Sequence, residues 1–129
     1  KRKIIPESLV ESITPRAIAL WYCGDGSLQT GVASWKGKTY NRRPRAVLYT
    51  NAFDDPESRD RMKRIFERFN ITPTFRSCGK YKVLSFSVKE SEKLFELIAP
   101  FVPSVMEYKL PADHRGRHHS NEMERKTNA

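Results

Sequence analysis

A chain of 129 residues with 38% apolar content can enclose a single core, and it lacks the apolar material for two. Lys and Arg outnumber Asp and Glu by 24 to 15, a net charge of +9, which points to a polyanionic partner and away from an acidic small molecule. No apolar run nears the roughly 20 residues that span a bilayer, and Lys1, Arg2 and Lys3 lead into Pro6 and Glu7, not into the apolar core of a signal peptide. Cys23 and Cys78 lie 55 residues apart with no CxxC spacing, so neither a zinc site nor a disulfide framework is signalled. These features predict a soluble, intracellular, reduced chain without a membrane partner, and they leave its compartment open.

The charge is uneven. Residues 1–50 carry nine basic and three acidic side chains, whereas residues 51–110 carry eleven and nine, so a polyanion-facing surface should draw on the first half.

Thr14-Pro15 opens the first strong helix signal, a hydroxyl cap followed by a proline that loses nothing at a first helical position. That helix should run from about Pro15 to Gly24, with Gly26 suited to a tight turn beyond Asp25. Strand-like text follows at Ser27–Ser34 and Arg45–Asn51, read as a hairpin with a long basic loop between them. Asp54-Asp55-Pro56-Glu57 reads as a cap and an acidic first turn, and Met62, Ile65, Phe66 and Phe69 recur at helical spacing to about Asn70. Ile71–Cys78 and Tyr81–Val88 make another strand pair turning at Gly79-Lys80, and a third helix carries Leu94, Phe95, Leu97 and Ile98.

Residues 111–129 contain no Ile, Leu, Val, Phe, Trp or Tyr, so burial cannot offset their ordering entropy. The prediction is one domain over residues 1–111 and a flexible polar tail over 112–129. Within it, His114, His118 and His119 read as solvent-exposed or phosphate-touching, not as metal ligands. The order helix, strand, strand, helix, strand, strand, helix gives an α+β fold, αββαββα, with an antiparallel sheet covered by helices on one face.

Alternation along the strands places Ala46, Leu48, Thr50, Leu84, Phe86 and Val88 inward. It turns Arg45, Val47, Tyr49, Asn51, Tyr81, Val83, Ser85 and Ser87 outward. Pro15, Ala19 and Cys23 fall on one stripe at successive i, i+4 steps, a surface on which a second helix could dock. Asp25 stands at the helix C-terminus, where the macrodipole is already negative and a divalent cation would relieve the carboxylate. The loop holding Lys36, Lys38, Arg42, Arg43 and Arg45, interleaved with Trp35 and Tyr40, has no acidic residue and is suited to phosphate contact.

The segment Ile18-Ala19-Leu20-Trp21-Tyr22-Cys23-Gly24-Asp25-Gly26-Ser27 resembles the motif of the LAGLIDADG homing endonuclease family, with Ala19, Asp25 and Gly26 matching directly. Ile5-Pro6 and Leu9 before it, and Met106-Glu107-Tyr108-Lys109-Leu110-Pro111 far downstream, resemble that family's flanking signatures, so the resemblance spans residues 4–111. Cys23 and Gly24 depart from the spelled motif and bear on helix packing more than on chemistry.

The resemblance implies a four-stranded antiparallel saddle sheet whose outer face sits in the major groove of double-stranded DNA. It implies Asp25 and Lys109 as catalytic residues, with Asp25 and the Gly24 carbonyl holding a metal. Mg²⁺ is the expected ion, and Mn²⁺ or Ca²⁺ could take its place. Pro15, Ala19, Tyr22 and Cys23 become the helix interface. The DNA-contacting set is Gln29, Lys36, Lys38, Arg42, Arg43, Arg45, Tyr49, Asn51, Thr74, Arg76, Tyr81 and Ser85, with Arg45 and Arg76 suited to guanine and Asn51 to adenine.

One motif supplies half of a duplex-cutting machine. Either a homodimer or a second LAGLIDADG half must complete it, and Lys1–Pro6 resembles the entry to a second repeat. An intron or intein host is implied as well. Two other readings stay open: a non-cleaving DNA-binding regulator or RNA-splicing maturase on the same fold, and a basic α+β module for RNA that carries the motif by chance.

Overall fold

The computed structural model describes residues 4–50, 53 and 55–118. A short helix α1 (Glu7–Ser12) precedes α2 (Pro15–Asp25), which runs directly into β1 (Gly26–Gln29). Next come β2 (Val32–Trp35), β3 (Lys38–Asn41) and β4 (Arg45–Tyr49), then α3 (Pro56–Glu67), β5 (Thr74–Cys78), β6 (Tyr81–Ser85) and α4 (Val88–Ile98). Three 3-10 turns, Ala99–Phe101, Ser104–Lys109 and Ala112–His114, close the described chain.

The caps form as the sequence dictates. The Thr14 hydroxyl accepts from the Ala17 N–H at 3.2 Å, and the Asp55 carboxylate accepts from the Ser58 N–H at 2.9 Å. The Ser87 hydroxyl caps α4 by accepting from the Glu90 N–H at 3.2 Å. Ser87 and Val88 therefore leave the strand, and Val88 is the first residue of α4 instead of an inward-facing strand position.

A four-stranded antiparallel sheet runs in the order β1-β4-β6-β5. On its covered face Gly26, Leu48, Leu84 and Phe75 share one cross-strand row. The helices bury this face: Phe66 of α3 meets Phe86 edge-on with ring centroids 5.1 Å apart, and Tyr22 of α2 meets Phe95 of α4 at 6.4 Å. Each such side chain contributes roughly 1.5–3 kcal/mol by leaving water. The Ser91 hydroxyl accepts from the Ala46 N–H at 2.9 Å and donates to the Phe86 carbonyl at 3.1 Å, a fully buried tie between sheet and α4.

Three findings differ from the expectation. The basic segment is not a loop, because β2 and β3 pair as a separate two-stranded ribbon inserted between β1 and β4. Lys36 and Gly37 turn it with φ of 50° and 78°, the positive pair that matches the twist of flanking strands. A helix, α1, precedes the motif helix and is strapped to α3. Glu7 accepts from Arg61 at 3.0 Å and from both terminal nitrogens of Arg64 at 2.7 Å, while Arg68 donates to the Val10 and Ile13 carbonyls.

Residues 112–118, expected in a flexible tail, belong to the folded unit instead. His114 is 4% exposed, lies 5.6 Å from the Phe95 ring and hydrogen-bonds Glu92 at 2.8 Å, where solvent exposure was expected. His119 and the rest of the tail lie outside the described residues, as does Asn51.

Candidate active site and nucleic-acid interface

The C-terminus of α2 delivers Asp25 to the edge of the sheet. Residues 22–26 pass from helix into β1 without a loop: the Gly26 N–H closes on the Tyr22 carbonyl. A Cβ on Gly26 would fall 2.2 Å from the Tyr22 ring and 2.4 Å from its carbonyl oxygen, so glycine is required there by close approach. Asp25 and Gly24 are exposed at this corner, and a Cβ on Gly24 would meet nothing within 4 Å.

Lys109 is brought to the same corner from 84 residues downstream. Its ammonium donates to the Cys23 carbonyl at 2.7 Å, while its own carbonyl accepts from the Tyr22 hydroxyl at 2.8 Å. Burial pushes the Tyr22 phenol well above its ordinary range, which keeps it a proton donor, and burial likewise raises the Cys23 thiol. The pair of bonds clamps the Ser104–Lys109 turn onto the end of α2, and the Lys109 charge rests against the negative pole of the helix. Asp25 and Lys109, the two expected catalytic residues, thus lie at one corner. Nothing in the sequence marked Tyr22 as the anchor of Lys109.

This corner suits a hard cation. The donors are a carboxylate and helix-terminal carbonyls, all oxygen, and the Cys23 and Tyr22 carbonyls are already engaged, so Gly24 offers the next carbonyl in the series.

The interface stripe needs redrawing. Ala19 and Tyr22 are fully buried within this chain, and Pro15 and Cys23 are half-buried. The exposed line on α2 passes instead through Arg16, Leu20 and Gly24, with Leu20 59% exposed. An apolar groove of about 330 Å³ runs beside it, lined by Ile5, Leu9, Ile13, Ala17, Trp21 and Phe53, with Asp25 at its rim.

The uncovered face of the sheet is ordered in rows. Ser27, Val47, Ser85 and Thr74 stand opposite one another across all four strands, and Tyr49, Val83 and Arg76 form the neighbouring row. Gln29 and Arg45 are partners in the next. A cleft of about 480 Å³ opens over these rows, lined by Gln29, Arg42, Arg43, Arg45, Arg76 and Ser85 with Tyr40, Val47 and Val88, and no carboxylate among the described residues lines it.

Arg45 is pinned there by its Nε, which donates to the Phe86 carbonyl at 3.1 Å. Val47 and Ser85 form the floor and are 5% and 2% exposed, so Ser85 presents little of itself to a base edge. Tyr49 and Tyr81 are 43% and 46% exposed, Thr74 is exposed beside them, and Lys36 and Lys38 stand on the exposed ribbon. The β-formers Val32, Trp35, Thr39 and Tyr40 on either side of a two-residue Lys36-Gly37 turn are the signal by which the ribbon could have been found.

The model of the LAGLIDADG DNA endonuclease family matches residues 1–94. The chain is 30% identical over 116 residues to a "probable intron-encoded DNA endonuclease 3" of Mycosarcoma maydis, covering 86% of this chain and 74% of that one. It is 29% identical over 118 residues to a "Protein RecA" of Mycobacterium shimoidei, with 90% of this chain matched. The chain spans only 28% of that relative, and 17% of the RecA of Mycobacterium leprae. Among solved structures, "the homing endonuclease I-WcaI bound to its DNA recognition sequence" superposes with a TM-score of 0.67 at 27% identity, over 85% of this chain and 46% of that one. No helix among the described residues is long and apolar enough to cross a membrane. With the motif helix, the sheet behind it and a family model matched over residues 1–94, the chain belongs to the LAGLIDADG DNA endonuclease family.

Proposed function

We propose that the chain is a site-specific, metal-dependent DNA endonuclease that makes double-strand cuts, working as a homodimer or beside a second LAGLIDADG half. The observation that carries this reading is the corner where α2 ends. Asp25 is exposed, Lys109 is held two residues away by the Cys23 carbonyl, and the arginine-lined cleft opens on the uncovered face of the adjoining sheet.

Four guanidiniums, with no carboxylate among the described lining residues, attract the phosphate backbone and favour bidentate contact with base edges. Arg45, immobilised through Nε, directs its remaining nitrogens with little entropy left to lose. Lys36 and Lys38 extend the basic surface along the ribbon to phosphates farther out.

Asp25, with the Gly24 carbonyl, would hold Mg²⁺, and Mn²⁺ or Ca²⁺ would satisfy the same oxygen donors. When bound, the ion supplies Lewis-acid stabilisation of the phosphate and of the leaving oxygen. Lys109, fixed at the end of α2 by the Cys23 carbonyl, would stabilise negative charge developing at the phosphate. Cutting both strands takes two such corners, and the exposed Leu20-Gly24 line with its apolar groove supports docking against a second α2-like helix. The intron-encoded relatives support a mobile-element host, an intron or an intein.

The test is cleavage of a randomised plasmid library by the wild-type chain and by Asp25→Asn, each in Mg²⁺ and in EDTA. Metal-dependent double-strand cuts that vanish in Asp25→Asn support the reading, and near-palindromic recovered sites select the homodimer. Salt-sensitive DNA binding with no cutting by the wild type, even after a second half is supplied, would establish a non-cleaving regulator instead.

A further inference from the structure

His114 sits among three carboxylates on the helix side of the fold, in contact with neither Asp25 nor Lys109. Its Nε2 is 2.8 Å from the Glu92 carboxylate and 3.9 Å from that of Asp113, and its Nδ1 is 3.5 Å from Glu96. His114 is 4% exposed, and its Nδ1 has no hydrogen-bond partner among the described residues. Arg117 donates to Glu96 at 2.6 Å and is the cation at hand, so three carboxylates converge on one ring and one guanidinium.

A neutral imidazole cannot satisfy this arrangement alone. If its proton sits on Nε2 to serve Glu92, the Nδ1 lone pair faces the Glu96 oxygen, which can only accept. If the proton sits on Nδ1, the Nε2 lone pair faces Glu92 and Asp113. Either a second proton, which makes both ring nitrogens donors, or a divalent cation on the Nε2 side resolves both conflicts, and only the cation draws in Asp113 as well: Nε2, Glu92 and Asp113 become ligands and Nδ1–H is free to donate to Glu96. The three ligand atoms all lie within 4.8 Å of one another. Tetrahedral zinc with bonds near 2.0–2.1 Å needs donors about 3.3 Å apart, inside the range of separations seen here. Glu96, braced by Arg117, then stands where the outer carboxylate of a carboxylate–histidine–zinc arrangement stands.

We propose that Glu92, Asp113 and His114 form a second metal site, separate from Asp25, that takes a transition-metal dication of the zinc type. Two of its ligands come from the Ala112–His114 turn and one from α4, so the ion would fasten the C-terminal segment to the helix layer. Binding requires an unprotonated Nε2, so any proton held there passes to Nδ1 or to solvent, and no redox change is involved. The inference is independent of the nuclease reading.

The experiment uses the full chain, stripped with EDTA and dialysed, titrated with Zn²⁺ alone by calorimetry and followed by thermal unfolding. Co²⁺ serves as a visible-absorption probe of an N/O ligand set. One equivalent per chain is expected, with a raised Tm. Glu92→Gln and Asp113→Asn should each weaken binding at least on the order of tenfold, and Glu96→Gln roughly tenfold, the usual penalty for removing an outer partner. Asp113 is 75% exposed, so its variant should fold like the parent in EDTA.

Asp25→Asn should keep the Zn²⁺ site that Glu92→Gln weakens, and His118→Gln combined with His119→Gln should bind Zn²⁺ unchanged. Several outcomes overturn the proposal: no Zn²⁺ binding at micromolar concentration; binding indifferent to Glu92→Gln and Asp113→Asn; or binding lost with Asp25 or with the His118–His119 pair.

Discussion

The Lys109 ammonium and the Cys23 carbonyl meet at 2.7 Å, which fixes a cation at the end of the helix that carries Asp25. Lys109→Met keeps the aliphatic stem and removes the charge. Cleavage should fall about a hundredfold, the scale for losing one preorganised electrostatic group, while DNA binding at fixed salt changes little. Tyr22→Phe, which removes only the hydroxyl that anchors Lys109 from behind, should cost about 1 kcal/mol in denaturant unfolding and reduce cleavage less. If Lys109→Met cuts like the wild type, Lys109 fastens the Ser104–Lys109 turn to α2 and takes no part in the chemistry.

Leu20, 59% exposed on α2, tests how the second half is recruited. Leu20→Asp should leave the unfolding free energy of the monomer within about 0.5 kcal/mol of wild type, because the side chain is outside the core. The same change should abolish self-association, since two buried carboxylates would face each other across a twofold axis. Sedimentation velocity reads this directly. A dimer that survives would place the contact elsewhere.

Ribbon and cleft should separate affinity from specificity. Replacing Lys36 and Lys38 by Ala should reduce the slope of log affinity against log salt by up to about 2 for all DNA sequences alike. Arg45→Ala should cost about 1–3 kcal/mol on the preferred target and less on others, because Arg45 is pinned in the cleft. Equal losses on all sequences for both variants would assign Arg45 to phosphate contact.

Glu7 makes stability depend on acid. Hydrogen bonds and charge from Arg64, then Arg61, outweigh partial desolvation and lower its carboxyl from 4.5 to about 2. A lowered folded-state pKa means the contribution is complete above about 4.5 and disappears as pH falls toward 2. Urea midpoints across that window should therefore fall less steeply for Glu7→Gln than for the parent. Parallel curves would show that the strap between α1 and α3 adds nothing measurable, as exposed ion pairs often do.

What was legible in the sequence follows from where the determining forces act. The α2 boundary, its Thr14 cap and the Asp25 corner are local, written within a dozen residues, and the strand alternation that placed Arg45, Tyr49 and Tyr81 outward is local as well. Helix α1 was not legible: it has six residues, no side-chain cap and one buried side chain, and its partners Arg61, Arg64 and Arg68 are more than 50 residues away. The same holds for His114, whose polar neighbours in sequence say nothing of Phe95 and Glu92. Ala19 and Tyr22 were assigned to docking because spacing gives a stripe but not its azimuth. The core claims them, and Leu20 is left outside.

The β2–β3 ribbon is inserted into a hairpin whose own register is already set, Gly26 to Leu48 through Gln29 to Arg45. That register is made outside the ribbon, which pairs with itself and is tied at its base by the Arg42 N–H on the Gly31 carbonyl, so a change of length within residues 32–41 costs the hairpin little beyond closure entropy. Lineages could therefore lengthen, shorten or recharge this finger to follow a drifting target sequence, and the protein could change what it reads at almost no risk to whether it folds.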